Sequence, residues 1–385
     1  MKIISVLLIL FFLSSSRVQD LKNENLIVIL LAKNISQLSE IKCSQFIDQF
    51  EYIPLETNEK CLIGNDYHAL VLKDYILIYH IKYCYVFDKK TGKFLFELSK
   101  YGRGPGEYNN SLLAYDFVNS IVYSGGWNND MMMFTLDGKY IGSFPIPNQK
   151  GGMEDPSLMF HFSSLPKSLI VGYSINILGS EKKLLTIFNQ KGEVIRIFPN
   201  KNVYPKRPLK VVSLLEAQFY HLNENTYFKE RYCDTVFRVT EKSLIPHIKF
   251  DMGKYTVPYD SKWWPFEEQK NAKFIIVRQV LENRSWIYIT ATKESIDYFA
   301  IFDKNISKLS INRYNAGIPN DIDNFIPFKP EYIDEDGNLV ALVNALEISK
   351  WFKDNPSKIS ERIKRLQNTE PDQNPIVIIG NTKTN

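Results

Sequence analysis

Cysteine is scarce in this sequence. Four residues, Cys43, Cys61, Cys84 and Cys233, are spread along 385 positions. No two are close, which argues against a metal site built on thiolates. An even number permits disulfides, with the pairing open. A chain of this size needs no such staples, so free buried thiols fit as well. Blocks of Lys or Arg are missing too. The 47 basic and 43 acidic residues leave a net charge of +4. No run could neutralise a row of phosphates, so nucleic acid is not an expected partner. Past the first residues, no apolar run approaches the ~20 residues of a membrane-spanning helix.

Catalytic signatures are equally sparse. The histidines His68, His80, His161, His221 and His247 are scattered, and no His-Glu-x-x-His pair occurs. There is no Gly-x-Ser-x-Gly elbow and no repeated Asp box. Glu267 and Glu268 are adjacent, so in an extended segment they point apart. A glycosidase needs two acids facing one bond.

What the sequence does contain is aromatic residues and short apolar runs. There are 25 Phe, 22 Tyr and 5 Trp, residue types that suit pleated, half-buried surfaces. Residues 1–16 read as a signal peptide. Lys2 is the basic start, Ile3 to Leu13 the apolar stretch, and Ser14 to Ser16 the small residues before cleavage. No Cys follows, so a lipid anchor is not supported, and a periplasmic or secreted chain is expected. An uncleaved anchor is the alternative. The expected organisation is an N-terminal segment over 17–50 and one β domain over 51–385. Leu26 to Ala32, apolar but seven residues long, suits a buried strand.

Strand-like runs follow one another: Ala69 to Tyr79, Cys84 to Asp88, Phe94 to Leu98, Ser120 to Tyr123, Met131 to Leu136, and onward. Similar turns recur between them. Gly92, Gly138 and Gly192 supply the positive φ of tight hairpins. Ser243 and Ser307 stand at weaker versions. The spacing of these five positions lies near the ~40–50 residues of a four-stranded propeller blade. A sixth unit is expected from Glu331 to Val343, then a helical insertion near 348–366, then a strand at Asn374 to Ile379. A strand from Glu51 to Leu55 would complete the last blade and remove its open edge. The fold class is therefore all-β, a six-bladed β-propeller with a short helical insertion in the last blade.

The Gly102-Arg-Gly-Pro-Gly-Glu-Tyr108 segment resembles a connector of extracytoplasmic six-bladed propeller proteins of Gram-negative gut bacteria, related to TolB- and NHL-like propellers. Ile53 to Thr57 resembles a strand near the start of that group. Asn374 and Pro375 resemble its last strand, after a short helical insertion. The three matches bracket nearly the whole chain after the leader. The resemblance implies the fold and export, and no general catalytic activity. Many members are lipoproteins, and this chain departs from that.

In such a ring, connectors between blades and loops between second and third strands share one face. That face would carry Arg103, Glu107, Tyr108, Trp127, Arg231, Trp263 and Trp264. Exposed Trp beside carboxylates and amides suits a sugar or peptide. The competing reading is that Trp263 and Trp264 pack between blades, since Trp is usually buried. Gly102 to Gly106 could form an anion nest, but an inter-blade turn is favoured because no helix follows. No catalytic residue and no metal ligand is assigned. Calcium is the one cofactor left open, through Asp321, Asp323 and Asn324, while Asp334 to Asn338 reads better as a hairpin turn than as a calcium loop. The expected function is a non-catalytic, exported module binding a glycan, peptide or envelope protein. The alternatives are a propeller hydrolase or lyase acting on sugars or lactones, and a structural subunit docking through the helix near Trp351.

Overall fold

The computed structural model describes residues 26–147, 158–207, 216–314, 316–357 and 359–383. The leader at 1–16 lies outside them. Six blades, each built on four antiparallel strands, follow one another round a ring, and one of them carries a fifth strand. Blade 1 runs from His68–Val71 to Phe94–Glu97, and blade 2 from Asn110–Asp116 to Tyr140–Pro145. Blade 3 runs from Met159–Leu165 to Val194–Pro199, and blade 4 from Ala217–Leu222 to Leu244–Phe250. Blade 5 runs from Ile275–Glu282 to Lys308–Arg313. Blade 6 takes Tyr332–Ile333, Leu339–Val343 and Ile376–Thr382, and its outer strand is Ile47–Pro54 from the other end of the chain. The ring is thus closed by the N-terminal part, as expected, with a longer strand than Glu51 to Leu55.

The core lies in the seams. Each of the six apolar clusters joins two adjacent blades. In blade 6, Ile376 and Ile378 pack toward blade 5, while Val377 and Ile379 pack toward blade 1. A blade's middle strands are covered on both faces, so they read as unbroken apolar runs rather than as alternation. Side chains tie blades 1 to 6 to one another in succession. Ser111 donates to His80 O, Ser164 to Tyr115 O at 2.8 Å, and Thr226 to Ser164 O at 2.7 Å. Gln218 clasps both backbone groups of Val280, and Gln279 donates to Glu331 O at 2.6 Å. These bonds satisfy backbone groups that a bare apolar seam would leave unpaired.

The hairpin turns behave as their residues require. Gly92, Gly138 and Gly192 hold φ of +70°, +84° and +77°. Ser307 takes the same turn with φ of +51°, a conformation that costs a non-glycine residue about 1–2 kcal/mol.

Leu26 to Ala32 differs from the expected buried strand. Only Ile27–Ile29 is extended, and it pairs in parallel with the outer strand of blade 4. It lies on the rim, so Ile29 is buried while Val28 is exposed. The chain then crosses blade 5, where Ser39 N donates to Ile311 O at 2.7 Å, before joining blade 6. One segment therefore ties three blades. The insertion of blade 6 forms a helix at Ala345–Asp354 and a short 3-10 turn at Lys364–Leu366. Ile348 and Phe352 face the seam of blades 5 and 6, and Trp351 packs edge-on against Phe325 at 4.7 Å. Leu346 is the exposed large apolar residue of this helix, so the helix carries no broad apolar docking face. No helix of the described residues is long and apolar enough to cross a membrane. All four cysteines are free, and only Cys233 is less than fully buried.

Candidate functional site

Strand direction sends the blade connectors and the loops between second and third strands to one face, the mouth. The candidate residues named above fall on it in two clusters.

The first spans blades 1 and 2. Residues 101–108 fold into a tight turn, with Gly102 N donating to Tyr108 O at 3.1 Å and Tyr108 N to Lys100 O at 3.0 Å. Glu107 turns back inside it, its carboxylate accepting Gly104 N at 2.7 Å. The nest formed by the glycines is thus filled by the chain's own carboxylate. A Cβ on Gly102 would collide with that carboxylate, which explains the glycine there. Tyr108 is fully buried and anchors the turn. Above the turn stands Trp127, whose indole N–H donates to Gly102 O. The Arg103 guanidinium lies 4.6 Å over its ring, and Tyr101 meets it edge-on at 5.8 Å. Trp127 is 40% exposed and Tyr101 42%.

The second cluster spans blades 3 to 5. Trp263 is 4% exposed, and its indole donates to Ile177 O at 2.8 Å. Arg207 lies 4.8 Å over its ring. Trp264 is half-buried against Phe274. Arg231 is half-buried, with its backbone N–H bonded to Glu216 O.

Beneath these aromatics lies a charged group that sequence reading did not bring together. Lys262 pairs with Glu216, both side chains 1% exposed. Tyr173 and Tyr259 both donate to Glu230 Oε1, at 3.0 and 3.1 Å. Burial pushes both glutamates above the ordinary carboxylate pKa, against the pull of Lys262. Burial also brings Lys229 down to about 8, while its ammonium donates to Glu230 O and Cys233 O. The only sequence sign was the charged run Lys229-Glu-Arg231 closing an apolar strand.

Ser163 Oγ lies 2.8 Å from His221 Nε2. That serine is 4% exposed, and the pair ties the inner strands of blades 3 and 4. Of the residues left open for calcium, Asp321 accepts from Ser44, and Asp323 accepts from Tyr52 at 2.8 Å. Asp334 caps its own hairpin, accepting Asn338 N at 2.8 Å. Among the described residues no group of three ligating side chains is placed to hold a metal. On the face opposite the mouth, a cleft of about 380 Å³ between blades 6 and 1 is lined by Lys73, Lys89, Lys90, Asp334 and Asp336.

Strand order and closure define a six-bladed β-propeller with an aromatic and charged mouth. The chain belongs to the DUF4934 family, a domain of unknown function, matched over residues 26–381. Among solved structures it is similar to a Bacteroides fragilis NCTC 9343 protein described as exported, with 15% identity and a TM-score of 0.68, covering 93% of this chain and 100% of that one. BamB from Moraxella catarrhalis aligns with 10% identity and a TM-score of 0.36, over 76% of this chain and 75% of that one. The extracellular domain of a one-component system of B. thetaiotaomicron aligns with 13% identity and a TM-score of 0.36, over 76% of this chain and 32% of that one. The last two are too distant to bear on function. No curated protein matches the sequence.

Proposed function

We propose that this chain is an exported, non-catalytic β-propeller that binds a glycan, a peptide or a partner protein through its mouth face. The observation that carries the reading is the exposed Trp127 ring, held by Gly102 O and stacked by Arg103. A fixed aromatic surface costs little entropy to present, and Trp and Arg are the residues most often decisive in interfaces. The guanidinium edge adds a fork suited to a carboxylate. The ligand class that fits both is an acidic glycan or an acidic peptide. Export is supported by the leader-like residues 1–16 and by the likeness to a protein described as exported. The TolB- and NHL-like character of the Gly102 to Tyr108 connector points to the same compartment.

The test is a glycan and peptide array probed with the mature chain, followed by titration of any hit. Trp127→Ala is expected to weaken binding at least about tenfold, and Arg103→Lys to weaken it as well, because a lysine cannot reproduce the planar stack. A ligand bound equally well by both folded variants would remove this site assignment.

A further inference from the structure

The Lys262 ammonium is enclosed by aromatic rings. Its Nζ lies 5.1 Å from the centroid of Trp263, 5.2 Å from Tyr259 and 5.7 Å from Tyr232. A carboxylate, Glu216, closes the cage as its ion-pair partner. Three ring faces around a cation with one anion at the base is the arrangement that recognises alkylammonium groups. Here the cation belongs to the chain itself.

The parts come from separate elements. Glu216 precedes the inner strand of blade 4, and Tyr232 follows the second strand of that blade. Lys262 arrives on the 3-10 turn Tyr259–Trp263, in the connector to blade 5. The lysine is therefore a side chain inserted from a connector, not a member of either blade. One oxygen of the receiving carboxylate is left over: Glu216 Oε1 is buried and has no hydrogen-bond partner among the described residues. A primary ammonium has three donors and a single lysine engages only Oε2 here.

We propose that the cage formed by Glu216, Tyr232, Tyr259 and Trp263 is a binding site for a primary alkylammonium group, occupied in the resting chain by Lys262. A free amine or a lysine side chain of a partner would enter it when the Lys262 side chain swings out. The inference stands apart from the Arg103 and Trp127 platform, which lies over other blades.

Lys262→Ala empties the cage and leaves its walls. n-Butylammonium chloride at millimolar concentration is expected to raise the melting temperature of this variant and to titrate to saturation by calorimetry. Wild type should bind it at least tenfold more weakly. Adding Glu216→Gln to Lys262→Ala should abolish the effect. 1-Butanol, matched in shape but uncharged, should not reproduce it. Equal responses of wild type and the alanine variant, or equal responses to amine and alcohol, overturn the proposal. Should Lys262→Ala not accumulate as folded protein, refolding yield answers the same question. Recovery with n-butylammonium but not with 1-butanol supports the site, and equal or absent recovery overturns it.

Discussion

Gly92 of blade 1 stands directly against Pro54 of the closing strand, so closely that a Cβ on the glycine would collide with the proline carbonyl oxygen. The turn between the last two strands of blade 1 and the outermost strand of the last blade meet here, where the ring shuts. Gly92 also holds φ of +70°. Gly92→Ala is expected to lower stability by about 2–3 kcal/mol, combining the left-handed backbone with the collision. Urea unfolding measures this. A loss below about 0.5 kcal/mol, the range of a plain surface change, would show that the seam yields without cost.

The turn glycines were legible because a hairpin states its need locally. The closing strand was legible because a ring of blades must shut, and Glu51 to Leu55 supplies a strand for the last open edge. Ile27–Ile29 was not legible as a rim strand, since nothing local distinguishes an apolar run on a rim from one in a core. The mouth was legible as a face and not as a site. Trp127 and Trp263 look alike in sequence, each followed by polar or aromatic neighbours. Which one is open depends on what a distant connector lays over it. The Glu216–Lys262 pair joins residues 46 apart, a separation that no periodicity encodes.

His221 gives the fold a definite acid sensitivity. Burial pulls its pKa down to about 4, with the Asp116 charge opposing. Between pH 6.5 and 4 the unfolded chain binds a proton there that the folded chain does not. Stability is therefore complete above about pH 6.5 and falls as pH drops toward 4. The change is on the order of 3 kcal/mol. Glu216 and Glu230 act with the opposite sign, since raised pKa values favour proton uptake by the folded state. The comparison of His221→Gln with wild type isolates the histidine. Denaturant midpoints at pH 7 and pH 4.5 should differ less in the variant, and an unchanged difference would place the acid sensitivity elsewhere.

The rim strand offers a paired test of the strap over blades 4 to 6. Ile29 is fully buried against blade 4, whereas Val28 is 48% exposed on the same short strand. Ile29→Asp places a carboxylate in an apolar seam and is expected to cost more than about 3 kcal/mol. Val28→Asp should stay within about 0.5 kcal/mol. The contrast is read in thermal melts of both variants. Equal melting temperatures would mean that residues 27–29 do not hold the rim in solution.

Trp263 and Trp127 separate scaffold from contact. Trp263 fills the space between the loops of blades 3 and 4, bonded to Ile177 O and stacked by Arg207. Trp263→Ala is expected to cost about 3–5 kcal/mol, the usual loss for a large buried aromatic. Trp127 is bonded through one indole edge, flanked by Arg103 and Tyr101, and 40% exposed. Trp127→Ala should cost about 1 kcal/mol, the net worth of one hydrogen bond and partial packing. Ligand affinity should follow the reverse order: lost with Trp127→Ala, retained by Trp263→Ala below its melting temperature. Were affinity instead lost only with Trp263→Ala while the fold persisted, the contact surface would lie over blades 3 to 5. Trp264, half-buried beside it, would then be the next residue to replace.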